Sequence, residues 1–223
     1  MANWEVLAQQ GWQIRKRNFP AAIVFSYPRE TMAVSVTGKA CGLNCAHCGG
    51  HYLKHMKPLA EIKDKTEIKA RSLLISGGCT AEGRVPLAAH LERLAALKQD
   101  RKYNLHVGLA EDEDIIRIAQ LADKVSFDFV GADETIREVF GINRTVEDYI
   151  ACYQKLRQVC DVIPHICLGL HGGKIKGEYR AIRELKRLGA AGITFIIFTP
   201  TRGTRFAKCQ PPAAPNLFNS LMA

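Results

Sequence analysis

The chain has 223 residues, a length that fits one domain, and 47% of them are hydrophobic. No apolar run approaches the ~18 residues of a membrane-spanning helix, and the charged, mixed N-terminus lacks the apolar core of an export signal, so a cytoplasmic protein is expected. The net charge of +9 reads as a solvated basic surface or a match for an anionic substrate; the densest basic stretch, Lys54 to Arg71, carries no aromatic interleaving or motif of a nucleic-acid binder.

Taken in chain order, residues 1–31 form an N-terminal helix, Trp4–Arg17, and an extended lead-in. Residues 32–208 alternate apolar, β-rich runs with helical patterns, which implies parallel strands joined by crossover helices. The expected strands are Met32–Thr37, Ser72–Ser76, Leu105–Leu109, Lys124–Val130, Val162–Leu170 and Gly192–Phe198. Between them the expected helices are Val85–Lys98, Glu111–Ala122, Thr145–Gln158 and Tyr179–Leu188. Four carboxylates, Glu111 to Asp114, crowd one helix start, where they suit the positive end of the helix dipole, and Gly189 marks a helix stop. Six strand–helix units make a partial TIM barrel, (β/α)6, an α/β fold of parallel strands with outer helices. The tail, 209–223, is irregular and rich in proline, with any final helix starting near Asn216.

A barrel of this kind carries its chemistry on the loops at the C-terminal ends of its strands. There stand Cys41, Cys45 and Cys48 after the first strand, Ser76-Gly77-Gly78-Cys79 after the second, and His171-Gly172-Gly173 after the fifth. Eight cysteines with no export signal favour metal or redox chemistry over disulfides. The spacing C-x3-C-x2-C puts three thiolates on one loop, one fewer than the four that a [4Fe–4S] cluster ordinarily takes, and so leaves one iron open. A zinc site of Cys41, Cys45, Cys48 and His51 is the alternative, which accounts for the loop but not for the glycine motifs. Cys152 and Cys160 read as packing residues of an outer helix, and Cys167 as a small buried apolar side chain.

The cysteine loop resembles the signature of the radical S-adenosylmethionine (SAM) superfamily. Ser76-Gly77-Gly78-Cys79 looks like that family's glycine motif, so the resemblance places Gly77 and Gly78 against the amino group of SAM. Gly173 to Glu178 is similar to its G-x-I-x-G pattern, which puts Ile175 near the adenine; Phe198 to Thr204 looks like the end of the sixth strand and adds Arg202 to the cofactor contacts. His47 stands where an aromatic residue usually precedes the third cysteine. Ser126-Phe127-Asp128 resembles the N-x-D of the biotin synthase and lipoyl synthase branch, whose polar side chains hold the ribose hydroxyls. In that reading the ribose would supply the partner that an inward carboxylate needs. The small size suits a subunit of an archaeal-type two-component lipoyl synthase.

The resemblance implies a [4Fe–4S] cluster on Cys41, Cys45 and Cys48, and reductive cleavage of SAM to a 5′-deoxyadenosyl radical that takes hydrogen from a C–H bond. Sulfur insertion is the most specific reaction implied; another radical reaction (rearrangement, methyl transfer, peptide modification) and a non-catalytic iron–sulfur accessory subunit are the alternatives. The implied partners are a ferredoxin- or flavodoxin-type electron donor, a partner subunit and an acyl-carrier-type protein substrate. Sulfur insertion would draw on a second iron–sulfur cluster, for which Cys79 and Cys167 are the candidate ligands; the third strand offers His106 where that branch has a cysteine. The chain also departs from the family in having Cys79 where a glutamate is common, and in stopping where a full last helix usually follows.

Overall fold

The structure is a computed structural model and describes residues 4–25 and 27–213. Its strands are β1 (Thr31–Ser35), β2 (Lys57–Pro58), β3 (Ser72–Ser76), β4 (Lys102–His106), β5 (Lys124–Asp128), β6 (Val162–Leu168) and β7 (Thr194–Ile197). They form one parallel sheet in the order β2-β1-β3-β4-β5-β6-β7. Register aligns Val34 with Ile75, Ile75 with Leu105, and Leu105 with Val125; farther along, Phe127 aligns with Pro164 and Ile166 with Phe195. Successive side chains of a strand point to opposite faces, so this register makes one continuous apolar face, which the helices cover. The expected α/β partial barrel is therefore present, as an open sheet whose edges are β2 and β7.

The helices are α1 (Trp4–Asn18), α2 (Leu91–Lys98), α3 (Asp112–Leu121), the short α4 (Asp133–Thr135), α5 (Val146–Val159) and α6 (Glu178–Arg187). Helix α3 starts on Asp112, Glu113 and Asp114 and buries Ile115, Ile118 and Leu121, which recur at helical spacing. Helix α5 starts on a capping box: the Asp148 carboxylate accepts from the Thr145 N–H at 2.7 Å while the Thr145 side chain caps the first turn. Phe127 and Phe129, at the end of β5, pack edge-on or tilted against Tyr149 and Tyr153 of α5.

Several boundaries differ from expectation. The fourth strand in chain order begins at Lys102 rather than Leu105, because Lys102 and Tyr103 already pair with Ser72 and Leu73. The segment expected as one helix from Val85 is a 3-10 turn over Leu87–His90 before α2 begins at Leu91. Strand β2 carries no periodicity because it has only two residues, and it exists through its pairing with β1. Helix α4 runs into a π-turn, Ile136–Phe140, that ends at Gly141 in the left-handed region. Among the described residues no helix follows β7, and no helix is long and apolar enough to cross a membrane. The final helix expected near Asn216 lies outside the described residues.

Candidate active site: the cysteine loop and the cavity beside it

The cysteine loop leaves the C-terminal end of β1 and is tied to the end of β3. The Thr37 hydroxyl donates to the Ala40 carbonyl at 2.8 Å and accepts from the Gly78 N–H at 2.7 Å, and the Gly42 N–H donates to the Cys79 carbonyl at 2.7 Å. A Cβ at Gly78 would lie 2.0 Å from the Ala40 oxygen and 2.5 Å from Cys41 Cα, so only glycine lets the two loops approach this closely. A second set of bonds comes from outside the barrel start: the Ala46 N–H donates to Val139 O at 2.7 Å, and the Phe206 N–H to Ala46 O at 3.0 Å. Arg205 reaches the Glu138 carbonyl at 3.2 Å and the Asn44 carbonyl at 3.4 Å, and the Tyr52 and Thr201 hydroxyls meet at 3.2 Å. The loop is thus held on both sides by backbone contacts, which preorganises its side chains.

Cys45 is buried, while Cys41, Cys48 and Cys79 are partly exposed. The donor atoms of Cys45, His47 and Cys48 all lie within 4.8 Å of one another. Cys45 and Cys48 share a hydrogen bond that pushes the Cys45 thiol up, aided by burial and the neighbouring sulfur charges, and pulls Cys48 down, with help from His47. Burial, followed by the charges at Cys41, Asp128 and Cys48, pushes the Cys79 thiol up to about 12. The crowding of sulfur charge that raises Cys45 and Cys79 is relieved by a bound cation. His47 adds an independent sign: its Nδ1 is buried without a protein partner, and its ring meets Phe140 edge-on at 5.6 Å. Cys41 is not in that 4.8 Å group, but it stands on the same loop, and the three thiols together are the soft donor set that an iron–sulfur cluster takes.

A cavity of about 390 Å³ opens beside the loop. His47, Tyr52 and Phe140 wall it on the cysteine side, Ile196 to Thr199 on the β7 side, and His106, Asp128, His165 and Cys167 line the sheet's concave face. Asp128 Oδ2 lies 3.1 Å from His106 Nε2, and its Oδ1 lies 3.7 Å from His165 Nδ1. The Asp128 side chain is 50% exposed because it faces the cavity, although the protein surrounds it on its other sides. Burial there opposes ionisation, but the two imidazoles outweigh it and hold the carboxyl well below the usual carboxylate range; His106 is in turn raised, the carboxylate overcoming burial.

The structure separates the remaining candidate residues. Gly77 and Gly78 sit against the cysteine loop, where they pack on Val36, Thr37 and Cys41. Ser126 shares the concave face with Asp128 but is 2% exposed, and its hydroxyl donates to Asn104 Oδ1 at 3.0 Å. Ile175 packs against the hydrophobic core and is not part of the cavity lining. Arg202 is exposed and away from the lining, and Arg205 is the arginine that reaches the cysteine loop. Cys167 lines the cavity, whereas Cys79 lies by the cysteine triad, and the two share none of the ligand clusters found among the described residues. Glu178 is buried and accepts from the N–H groups of Gly169, at 2.8 Å, and Lys176, so it braces the β6–α6 loop. Cys152 is buried with its sulfur 3.6 Å from the Ala110 carbonyl, in keeping with a packing role. The sequence does not single out Thr37 or Arg205 as site residues; it offers His106 on the third expected strand, and alternation sets His165 on the same face of the fifth as Cys167, but only register makes the two histidines neighbours.

No protein-family model matches the chain, and no curated protein matches it in sequence. Solved structures do match. Methylornithine synthase aligns at TM-score 0.64 and 14% identity, covering 93% of this chain and 63% of its own. SuiB of Streptococcus suis, also solved bound to S-adenosylmethionine, aligns at TM-score 0.59 and 14% identity, covering 96% of this chain and 49% of its own. The radical S-adenosylmethionine methyltransferase TsrM of Kitasatospora setae aligns at TM-score 0.58 and 12% identity, over 81% of this chain and 39% of its own. The chain thus spans less than two thirds of the length of each of these proteins. At such identities the likeness is one of fold: this chain's open, parallel α/β sheet with its helices superposes on parts of these structures.

Proposed function

We propose that the protein is a radical SAM enzyme. The observation that carries this reading is the C-x3-C-x2-C loop at the C-terminal end of the first barrel strand, directly beside the cavity. Cys41, Cys45 and Cys48 would hold three irons of a [4Fe–4S] cluster. Such a cluster, with SAM bound, would supply the one electron that reductive cleavage to methionine and a 5′-deoxyadenosyl radical requires, and that radical would take hydrogen from a C–H bond. The chain's own part is to hold the reactants together and to exclude competing hydrogen donors. Gly77 and Gly78 bring the end of β3 up to the loop, and His47 and Phe140 offer ring surfaces on the same side of the cavity. The unpartnered His47 Nδ1 faces the need for a polar contact that a bound cofactor meets. We do not assign the ribose to Ser126, whose hydroxyl is taken by Asn104, or to Asp128, which already has two imidazole partners.

Sulfur insertion of the lipoyl synthase type, with a partner subunit, an acyl-carrier-type substrate and a ferredoxin- or flavodoxin-type donor, is the finer reading and rests on the sequence resemblance alone. Its test is iron content after anaerobic reconstitution: about eight irons per chain would support a second cluster, and about four would not. The class itself is tested with SAM and dithionite under argon. Formation of 5′-deoxyadenosine by the parent protein and its loss in Cys45→Ala are expected. An intact cluster with bound SAM but no 5′-deoxyadenosine would overturn catalysis in favour of an accessory role.

A further inference from the structure

The concave face of the sheet carries a second donor set, apart from the cysteine loop. His106 on β4, Asp128 on β5 and His165 on β6 come from three adjacent strands, and Asp128 and His165 are direct register partners. Their donor atoms all lie within 4.8 Å of one another. One ion bound at the usual ~2.0–2.2 Å to nitrogen and oxygen puts neighbouring donor atoms about 3–3.5 Å apart. Of the separations from the carboxylate, 3.1 Å falls inside that range and 3.7 Å lies just beyond it.

Asp128 pairs with both imidazoles, closely with His106 and loosely with His165. His106 hydrogen-bonds Asp128, but His165 Nδ1 stands at 3.7 Å, beyond hydrogen-bond length, although its side chain is only 19% exposed. An ion seated among the three donors would replace this loose pair with shared ligation of one cation. Two imidazoles and one carboxylate form the three-ligand set that binds first-row divalent metals with positions left open. The half-exposed carboxylate and the rings line the cavity, so the open positions face it. A second cluster, Glu134, Glu138 and His171, lacks these features: Lys176 pairs with Glu134, and Thr135 meets His171 Nδ1 at 3.2 Å.

We propose that His106, Asp128 and His165 bind one first-row divalent cation of the Fe²⁺ or Zn²⁺ type, whose open positions take an oxygen donor of the small molecule in the cavity. Rigid strands supply all three ligands, which suits a positioning role. The site goes beyond the radical SAM reading and does not depend on it, since it shares no ligand with the cysteine loop.

The test uses Co²⁺ as a probe on the full chain carrying Cys41→Ala, Cys45→Ala and Cys48→Ala, followed by anaerobic titration and visible absorption. The expected result is one Co²⁺ per chain, with d–d bands and no thiolate charge-transfer band. Asp128→Asn and His165→Ala should each weaken binding by more than about 100-fold, beyond the ~10–100-fold that loss of an outer partner costs. His171→Ala should leave binding unchanged. If the triple variant does not fold, elemental analysis of the Zn²⁺-treated, iron-reconstituted parent replaces it: Asp128→Asn should lose one zinc per chain while iron and sulfide stay constant. Absence of binding by folded protein, or binding lost in His171→Ala and kept in Asp128→Asn, would overturn the site. Because no step of this test requires SAM cleavage, its failure is distinct from failure of the radical mechanism.

Discussion

The two faces of the sheet are built from alternate residues of the same strands and have opposite characters. On the outer face Leu73, Ile75, Tyr103, Leu105, Val125, Phe127, Ile166 and Leu168 are each 1% exposed or less, in the apolar core that the sheet shares with its helices. On the concave face the neighbours of those residues are Ser76, Asn104, His106, Ser126, Asp128, His165 and Cys167. Stability is thus concentrated on one parity of each strand and chemistry on the other. Polar groups are tolerated inward because they satisfy one another, as Ser126 does with Asn104, or open on the cavity, as Asp128 does.

Substitutions can sharpen or break this division. The largest effect on the site is expected from Gly78→Ala, which places a Cβ inside the backbone of the cysteine loop. Iron after reconstitution should fall from about four per chain towards none, with far-UV circular dichroism retained; full iron loading would show that the loop is not set by this contact. Phe127→Ala removes a fully buried ring from the outer face and should cost about 3–5 kcal/mol in urea unfolding, with iron per folded chain unchanged. A loss of iron in that variant would mean that the two faces are coupled.

A smaller effect is expected at the opposite end of the strands from the site, where Asp123 accepts from the Tyr103 N–H and pairs with Lys98 and Lys102, each at 2.9 Å. Burial opposes ionisation there, but these donors win and the carboxyl is held below its usual range. A carboxyl depressed on folding stabilises the native state above its unfolded pKa and loses that contribution as pH falls. Asp123→Asn should therefore cost about 1.5–3 kcal/mol at neutral pH, and the gap from the parent should close as pH drops below about 4. A gap independent of pH would show that charge is not its origin. The smallest effect is expected for Ser126→Ala, about 1 kcal/mol from one lost hydrogen bond, with Co²⁺ binding at the neighbouring Asp128 unaltered. A large loss of Co²⁺ binding would bring Ser126 into the site.

Elements with a strong local signature were legible before the structure. Strand Ser72–Ser76 has the expected bounds, α3 starts among its carboxylates, and α5 starts on its Thr145 cap. The two-residue β2 and the π-turn before Gly141 have no such signature, since the first is created by pairing and the second by the packing of Ile136 and Val139. The arginine after β7 shows the same limit. Arg202 and Arg205 stand in the same short segment, and only the return of that segment over the cysteine loop selects Arg205.

Local chemistry was determined by the sequence alone: three thiols within eight residues must share a loop, and hydrophobic periods of strand and helix must bury one face. Which inward side chains meet was decided only by tertiary structure. His106, Asp128 and His165 are separated by 22 and 37 residues in the numbering, and their meeting depends on the register of three parallel strands. That register is fixed by helix packing and crossover geometry, and a slip of one residue in any of the three strands would turn that strand's side chain away from the cavity.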